Sequence, residues 1–331
     1  MEEISKLIEG TPNEKILIIA HSDHDGICSS FALNYLFGKT EVKFSRAFKP
    51  QFVFSTRGKK LLLICDLLLS KEHLTLYLEK MKVINFDHHD IIDIPSRNYL
   101  CLNPKKLWNK EFISSSGLIW KLFKPKEIAW LLAAGSAGDL AIEDVLDLFK
   151  VVKKQYPELI NDLTLNEIYN SKIFEIAQMI LVNSSEPAKA FSLLYRCAKE
   201  KDPSLIFNSE LYKKMREVQE KIKKELEKIP KFEGKKFVLF NTSSRPFAGS
   251  YSGIAQLSNN DDRIHIEYAN GRLFFRNYLG KDSIMGIAKL FNGGGAHSRA
   301  GGAYTRKSFD EVKKEIENFF NQSSLENFRT P

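Results

Sequence analysis

The sequence lacks the long apolar segments that would place it in a membrane. No run approaches the roughly 18 consecutive apolar residues that a membrane-spanning helix requires. The opening residues MEEISKLIEG are acidic and contain no apolar core of the kind found in secretory signal peptides. These two absences predict a cytoplasmic protein without a membrane partner.

Cysteine is scarce as well. The chain has four cysteines in 331 residues, and no two of them form a CxxC pair. Their scatter indicates small buried side chains in a reducing compartment, and it argues against disulfide bonds and a structural zinc site. Internal repeats and low-complexity tracts are absent too.

The composition that remains is that of a globular protein with a basic surface. Hydrophobic residues make up 43% of the chain, which is enough for sizeable cores, and a length of 331 residues suggests about two domains. The formal net charge of +8 is compatible with a polyanionic partner such as nucleic acid. Solvated lysine-rich faces give the same net charge without any such partner, so both interpretations stay open.

The first half of the chain alternates short apolar runs with helical patterns. The β-branched content of the runs predicts strands buried on both faces, at 15–20, 61–65 and 82–86, with weaker candidates at 42–48 and 99–102. The predicted helices are 27–37, 116–123, 126–134 and 143–154. This alternation is typical of an open α/β domain with a parallel sheet.

The middle of the chain, from about 164 to 229, has a wholly helical pattern. Its last piece, 203–228, carries one apolar stripe on a charged helix, formed by Leu211, Met215, Val218, Ile222 and Leu226. The charged side could face a nucleic acid, or it could be the solvated surface of a helix between domains. The sequence leaves both interpretations open.

A second α/β pattern begins after Pro230. The predicted strands are 236–240, 263–268 and 272–276, with Asn270-Gly271 as a hairpin turn, and the predicted helices are 283–291 and 309–320. We therefore expect a domain at 1–202 whose helical part covers about 143–202, a linker helix at 203–230, a smaller α/β domain at 231–320, and a flexible tail at 321–331.

Acidic and imidazole side chains follow three of the predicted strands. The clusters are HSDHDG at 21–26, Asp66, and Asp87-His88-His89, while Asp139 follows an apolar helix and a turn of small residues. Sites in open α/β sheets form beyond the carboxyl ends of the strands, so these groups should converge at one edge. Each acid taken alone has a plainer explanation as a helix cap or strand-end residue. Their repetition at successive strand ends favours a shared site.

Converging carboxylates repel one another unless cations neutralise them. Mixed His and Asp ligands suit manganese, and carboxylate-rich sites also accept magnesium. Two such ions roughly 3.5–4 Å apart can hold an attacking hydroxide and a phosphate oxygen together. The residues themselves therefore predict a two-metal hydrolase with a phosphoryl substrate, in which Mn²⁺ is preferred and Mg²⁺ is an alternative.

HSDHDG, the Asp after LLLIC, FDHHD and GSAGD resemble the ordered motifs of the DHH phosphoesterase family, which includes RecJ nucleases, nanoRNases, cyclic dinucleotide phosphodiesterases and family II pyrophosphatases. The resemblance implies one metal on His21, Asp23 and Asp66, and a second on Asp25, Asp66, His88 and Asp139. It also implies that Asp87 orients an imidazole and that His89 faces the phosphate, so His89, Asp66 and His88 are the expected catalytic residues. His24 occupies a variable position of the motif and receives no role.

The segment 292–303 resembles the GGGHxxAAG loop of the DHH-associated substrate-binding domain, although Ala296 and Gly302 depart from the pattern. Consecutive glycines let backbone amides approach a phosphate closely. The expected substrate-binding residues are Arg276, Gly293, Gly294, Gly295, His297 and Arg299. The implied architecture is a parallel-sheet DHH domain with a helical insert, a smaller C-terminal α/β domain, and a catalytic cleft between them.

The GGGH-type loop argues against a pyrophosphatase, whose C-terminal domain has a different signature. We expect exonucleolytic hydrolysis of single-stranded DNA or RNA to mononucleotides, as in RecJ-like enzymes of the archaeal type. A short-oligonucleotide or cyclic dinucleotide phosphodiesterase is the alternative, and a non-catalytic scaffold in a replication or repair complex is the second. Gln322, Leu325 and Phe328 resemble a sliding-clamp-binding box and give a candidate clamp partner, while a frayed polar tail is the plainer interpretation.

Overall fold

The structure is a computed structural model, and it describes residues 2–38, 40–46, 53–110, 113–280, 282–293 and 299–326, with side chains to 321. The chain divides into two compact units, 1–215 and 216–331. No helix in the described ranges combines the length and apolarity needed to cross a membrane.

The first unit contains a five-stranded, wholly parallel sheet. Its strands are β1 (Ile16–His21), β2 (Glu41–Ser45), β3 (Leu61–Cys65), β4 (Lys82–Phe86) and β5 (Tyr99–Leu102), in the spatial order β2-β1-β3-β4-β5. Every residue of β3 is buried, since this central strand is apolar on both faces. The prediction of a parallel sheet in an open α/β domain is confirmed.

Ten α-helices lie in the described part of this unit. They are α1 (Glu2–Ile8), α2 (His24–Phe37), α3 (Lys71–Leu78), α4 (Pro104–Trp108), α5 (Ser115–Phe123), α6 (Ala129–Gly138), α7 (Leu146–Gln155), α8 (Leu165–Tyr169), α9 (Lys172–Val182) and α10 (Pro187–Glu200). Helices α1, α3 and α4, which have at most eight residues, are absent from the predicted elements. Helices this short depend on packing more than on their own propensity.

The charged helix predicted at 203–228 is two elements. Residues Pro203–Asn208 form a 3₁₀ helix, Ser209 is extended, and α11 spans Glu210–Leu226. The apolar stripe of α11 packs inward as predicted, because Met215, Ile222 and Leu226 are buried while most lysines are exposed.

The second unit contains a mixed five-stranded sheet in the order β10-β9-β8-β7-β6. The strands are β6 (Lys231–Glu233), β7 (Phe237–Asn241), β8 (Ile264–Ala269), β9 (Arg272–Arg276) and β10 (Ala300–Tyr304), and the helices are α12 (Tyr251–Asn259), α13 (Met285–Leu290) and α14 (Phe309–Glu326). Asn270 and Gly271 have φ of 50° and 79°, as a tight hairpin turn requires.

Three differences from the predicted elements of this unit stand out. First, the sequence does not predict helix α12. Second, residues 300–303, predicted as part of a glycine-rich loop, pair with β9 as the antiparallel strand β10. Glycine disfavours strands on its own, so the pairing decides the conformation. Helix α14 continues past Phe320 to Glu326. The clamp-box side chains Gln322, Leu325 and Phe328 lie outside the described residues.

Candidate metal centre

The end of β1 and the start of α2 bring His21 and Asp23 together. Asp23 caps α2 by accepting a hydrogen bond of 3.0 Å from the Gly26 amide, and its Oδ2 lies 2.9 Å from Nδ1 of His21. A Cβ on Gly26 would lie 2.3 Å from the His21 carbonyl oxygen, so only glycine permits this close turn. The cap therefore holds the first two predicted ligands side by side.

Asp66 follows β3 and lies at the centre of the cluster. Its φ of 53° is in the left-handed region, which aspartate tolerates better than most residues. The side chain is almost fully buried, with Oδ2 3.6 Å from His21 Nδ1 and Oδ1 3.9 Å from His88 Nδ1. Asp66 is thus close to the ligands of both predicted metals.

The Asp87-His88-His89 run leaves the end of β4 with its two rings adjacent, their centroids 4.0 Å apart. Oδ1 of Asp87 accepts a hydrogen bond from the His88 amide and lies 2.7 Å from Nδ1 of His89. Asn103 donates to the His89 carbonyl oxygen at 2.9 Å. The imidazole that Asp87 contacts is therefore that of His89.

Asp25 is fully buried in the first turn of α2, and the amino terminus of α5 holds its carboxylate. The amides of Ser115 and Ser116 donate to its two oxygens at 2.7 and 2.8 Å. This contribution from Ser115 and Ser116 is absent from the sequence-based predictions. The serine run at 114–116 before an apolar helix was the available signal, since it marks a helix start, and a helix amino terminus favours a negative charge.

Asp139 directly follows α6, and its Oδ2 lies 3.2 Å from Nε2 of His88. The sequence predicts a turn of small residues before Asp139, but residues 135–138 form the last turn of α6. Their small side chains allow close helix contacts: a Cβ on Gly135 would lie 2.2 Å from Ser116 Oγ. The tertiary packing therefore keeps this segment helical.

The structure brings all the predicted metal ligands together at the carboxyl ends of β1, β3 and β4. Potential ligand atoms within 4.8 Å of one another form three groups, which are His21, Asp23 and Asp66; Asp25, His88 and Asp139; and Asp66, Asp87, His88 and His89. Asp23 belongs to the first group and Asp25 to the second, as in the two predicted ligand sets.

The electrostatics of the cluster are those of crowded acids. Burial, followed by the charge of Asp139, raises the pKa of Asp25 to about 7. Burial and then the charges of Asp23 and Asp25 hold the pKa of Asp66 well above its usual range. Burial would also raise the pKa of Asp23, but the adjacent His21 lowers it overall. Without a cation, full ionisation of the cluster is costly.

The donor set fits divalent cations. Among the described residues, Oδ2 of Asp66 and Oδ2 of Asp87 are buried without a hydrogen-bond partner, which is costly for a carboxylate oxygen. Carboxylate oxygens and imidazole nitrogens together are the ligand types that manganese and magnesium sites use. A cation would satisfy the Asp66 oxygen and offset the repulsion among the acids.

The predicted substrate-binding residues belong to the second unit, and Gly294, Gly295 and His297 lie outside the described residues. Arg276 ends β9 and donates to the Phe275 carbonyl oxygen at 2.9 Å, and Arg299 donates to that of Tyr278 at 2.7 Å. A Cβ on Gly293 would lie 2.6 Å from that of Ala303. Packing against β10 therefore already requires glycine at position 293.

In a comparison with protein families, residues 15–148 match the model described as the DHH family, N-terminal domain. This span contains every predicted metal ligand. A comparison with curated protein sequences found no match.

Solved structures resemble the chain over nearly its whole length. A DHH-domain member of the s1p family of ribosomal proteins gives a TM-score of 0.66 at 18% identity, covering 98% of this chain and 89% of that one. RecJ from Thermus thermophilus, in complex with Mn²⁺, gives 0.63 at 19%, covering 97% and 54%. The pGpG-specific phosphodiesterase PggH from Vibrio cholerae gives 0.57 at 15%, covering 94% and 99%.

CDC45 from Entamoeba histolytica gives a TM-score of 0.51 at 11% identity, covering 96% of this chain and 99% of that one. At these identities, likeness establishes a shared fold and nothing finer. The motif order, the convergence of the ligands and the family match agree with one another. The chain therefore resembles the DHH family through the domain at residues 15–148.

Proposed function

We propose that the protein is a two-metal phosphodiesterase that degrades single-stranded DNA or RNA from an end to mononucleotides. The observation that carries the proposal is the pair of ligand groups that meet at Asp66 and His88. Two adjacent cation sites at the end of a parallel sheet suit the hydrolysis of a phosphodiester. The net charge of +8 suits a polyanionic substrate.

In this proposal His21, Asp23 and Asp66 hold one ion, while Asp25, Asp66, His88 and Asp139 hold the other. Bound there, the two ions would supply Lewis-acid activation of water and of the phosphate group. The protein residues contribute a fixed geometry: the Ser115 and Ser116 amides hold both oxygens of Asp25, and the Gly26 amide holds Asp23. Mn²⁺ is the preferred ion and Mg²⁺ an alternative.

His89 is proposed to contact the phosphate as a hydrogen-bond donor or as the acid that protonates the leaving oxygen. Support comes from its Nδ1, 2.7 Å from the Asp87 carboxylate, and from its carbonyl oxygen, held by Asn103. If His89 Nδ1 donates its proton to Asp87, this hydrogen bond fixes the orientation of the ring. Nε2 is then the nitrogen that exchanges a proton with the substrate.

The second unit is proposed to bind the substrate phosphates through Arg276, His297, Arg299 and the glycines at 293–295. A guanidinium group has five N–H donors, so the bond that Arg276 makes to its own chain orients the side chain without using all of them. Consecutive glycines would let backbone amides reach a phosphate oxygen.

The test incubates the purified protein with Mn²⁺ and with end-labelled single-stranded DNA, single-stranded RNA, a dinucleotide and a cyclic dinucleotide. The control is Asp66→Asn, which keeps the shape of the side chain and the left-handed backbone but removes a shared ligand. We expect mononucleotide release that depends on Mn²⁺ and is lost in the variant. The proposal is refuted if Mn²⁺ supports cleavage of none of these substrates. Placing the label at one end or the other determines the polarity of digestion.

Two alternatives predict different results in the same assay. A short-oligonucleotide or cyclic dinucleotide phosphodiesterase would cleave only the small substrates; the likeness to PggH, described as specific for pGpG, motivates their inclusion. A non-catalytic scaffold would cleave none of them. The likeness to CDC45 motivates that comparison, but the full set of metal ligands in this chain favours an enzyme.

A further inference from the structure

His24 lies between two predicted metal ligands, Asp23 and Asp25, yet it belongs to none of the three ligand groups. Its ring is partly buried, and its Nδ1 is buried without a hydrogen-bond partner among the described residues. The His24 ring packs closely against Gly138, in the last turn of α6.

The contact between His24 and Gly138 leaves no room for a side chain at position 138. A Cβ there would lie 2.5 Å from Cγ, 2.7 Å from Nδ1 and 2.8 Å from Cδ2 of His24. Non-bonded neighbours essentially never come this close to a Cβ, so the ring occupies the space that any other residue at position 138 would need. Gly138 directly precedes Asp139, so the ring sets how closely the Asp139 backbone approaches α2.

A second close contact involves the same turn of α6. A Cβ on Gly135 would lie 2.2 Å from Oγ of Ser116, on α5, and 2.9 Å from Cβ of Cys28, on α2. Ser114 and Ser136 add a hydroxyl contact of 3.2 Å between α5 and α6. The end of α6 is therefore wedged between α2 and α5.

This wedge joins the two acids of one ligand group. Asp25 belongs to α2 and accepts hydrogen bonds from the first amides of α5, while Asp139 directly follows α6. The ligand atoms of both acids lie within 4.8 Å of those of His88. Two carboxylates whose ligand atoms lie within 4.8 Å of each other repel when both are ionised. Without the helix contacts, repulsion would move the Asp139 turn outwards.

We propose that His24 is a positioning residue, whose ring seats Gly138 and thereby sets the separation of Asp25 and Asp139 for the second cation. The inference rests on the proposed two-metal function. It assigns His24 a role through shape, neither as a ligand nor as an acid. It also gives a physical reason for glycine immediately before Asp139: the backbone must pack directly on an imidazole.

The test measures Mn²⁺ binding, by calorimetry and by electron paramagnetic resonance, in His24→Ala, Gly138→Ala and the double variant. We expect Gly138→Ala to weaken one of two sites about 10- to 100-fold, the usual effect of losing a residue that orients a ligand, and His24→Ala to weaken the same site. In the double variant, the new methyl group occupies the space of the lost ring, so affinity should recover towards the wild-type value. Recovery would not occur if the imidazole were itself a ligand.

Gly253→Ala, in the second unit, is the matched control, because a Cβ there would likewise lie too close to a ring side chain, 2.6 Å from the hydroxyl of Tyr278 in the same unit. It should lower the melting temperature and leave both Mn²⁺ affinities unchanged. Circular dichroism verifies that each variant is folded. The positioning role is wrong if Gly138→Ala binds Mn²⁺ with wild-type affinity, or if the double variant binds it as weakly as the single variants. The proposed two-metal function would stand in either case. Fewer than two ions bound by the wild type would overturn the proposed function, and the inference with it.

Discussion

The crowded acids of the metal centre predict that the metal-free protein loses stability as the pH rises. The folded state raises the pKa of Asp25 from 3.8 to about 7, so between these values it binds a proton that the unfolded chain has released. The free energy of unfolding should therefore fall across pH 4–7 by about 1.4 kcal/mol per pH unit, or roughly 4 kcal/mol in all from this group. Below pH 4 Asp25 is protonated in both the folded and the unfolded state, so its contribution to stability is fully present.

The pKa shifts of the neighbouring groups either add to this loss of stability or take effect mainly outside pH 4–7. The pKa of Asp66 is also raised, which adds to the fall. Although burial opposes it, Asp23 raises the pKa of His21 above 6.5, so the stability from that ion pair is lost as the pH rises further. The lowered pKa of Asp23 contributes stability above pH 4 that is lost only as the pH falls below it.

The assay is urea unfolding from pH 4 to pH 8 at constant ionic strength, with EDTA or with Mn²⁺, for the wild type and Asp66→Asn. We expect Mn²⁺ to remove most of the pH dependence in the wild type, because the ions replace the protons. The variant without metal should equal the wild type at pH 4, exceed it at pH 8, and gain little from Mn²⁺. A metal-free wild type that is equally stable at pH 4 and pH 7, or a variant with the same pH dependence, would refute the reasoning.

Three further substitutions separate the parts of the site. Asp87→Asn weakens the contact with His89 Nδ1, so kcat should fall about 10- to 100-fold while Mn²⁺ titrations stay unchanged; loss of metal binding would contradict this. Gly26→Ala places a Cβ 2.3 Å from the His21 carbonyl oxygen, and thermal unfolding should show a loss of about 1–3 kcal/mol together with weakened Mn²⁺ binding. Arg276→Ala should raise KM for single-stranded substrates by roughly tenfold or more with a smaller change in kcat, and an unchanged KM would remove Arg276 from the substrate site.

Much of the fold and most of the candidate site could be predicted because the relevant signals are local. The strands at 61–65, 82–86, 99–102 and 272–276 lie where the apolar runs predicted them. His21, Asp66 and Asp87 lie at or just beyond strand ends, and parallel strands bring such ends to one edge of the sheet. Strand β10 escaped prediction because two glycines interrupt it, and only pairing with β9 makes it a strand.

How Asp25 and Asp139 are held in place, and what His24 packs against, needed the tertiary structure. Asp25 is anchored by an amide 90 residues away in the sequence, from Ser115, and no local pattern links the two. The turn before Asp139 is helical because Gly135 and Gly138 pack against side chains of other helices. The sequence alone therefore predicted the candidate metal ligands and the sheet edge at which most of them lie, because side-chain chemistry and position at the end of an apolar strand are local properties. The tertiary structure decided how the acids are held against their own repulsion, since that depends on contacts between distant segments.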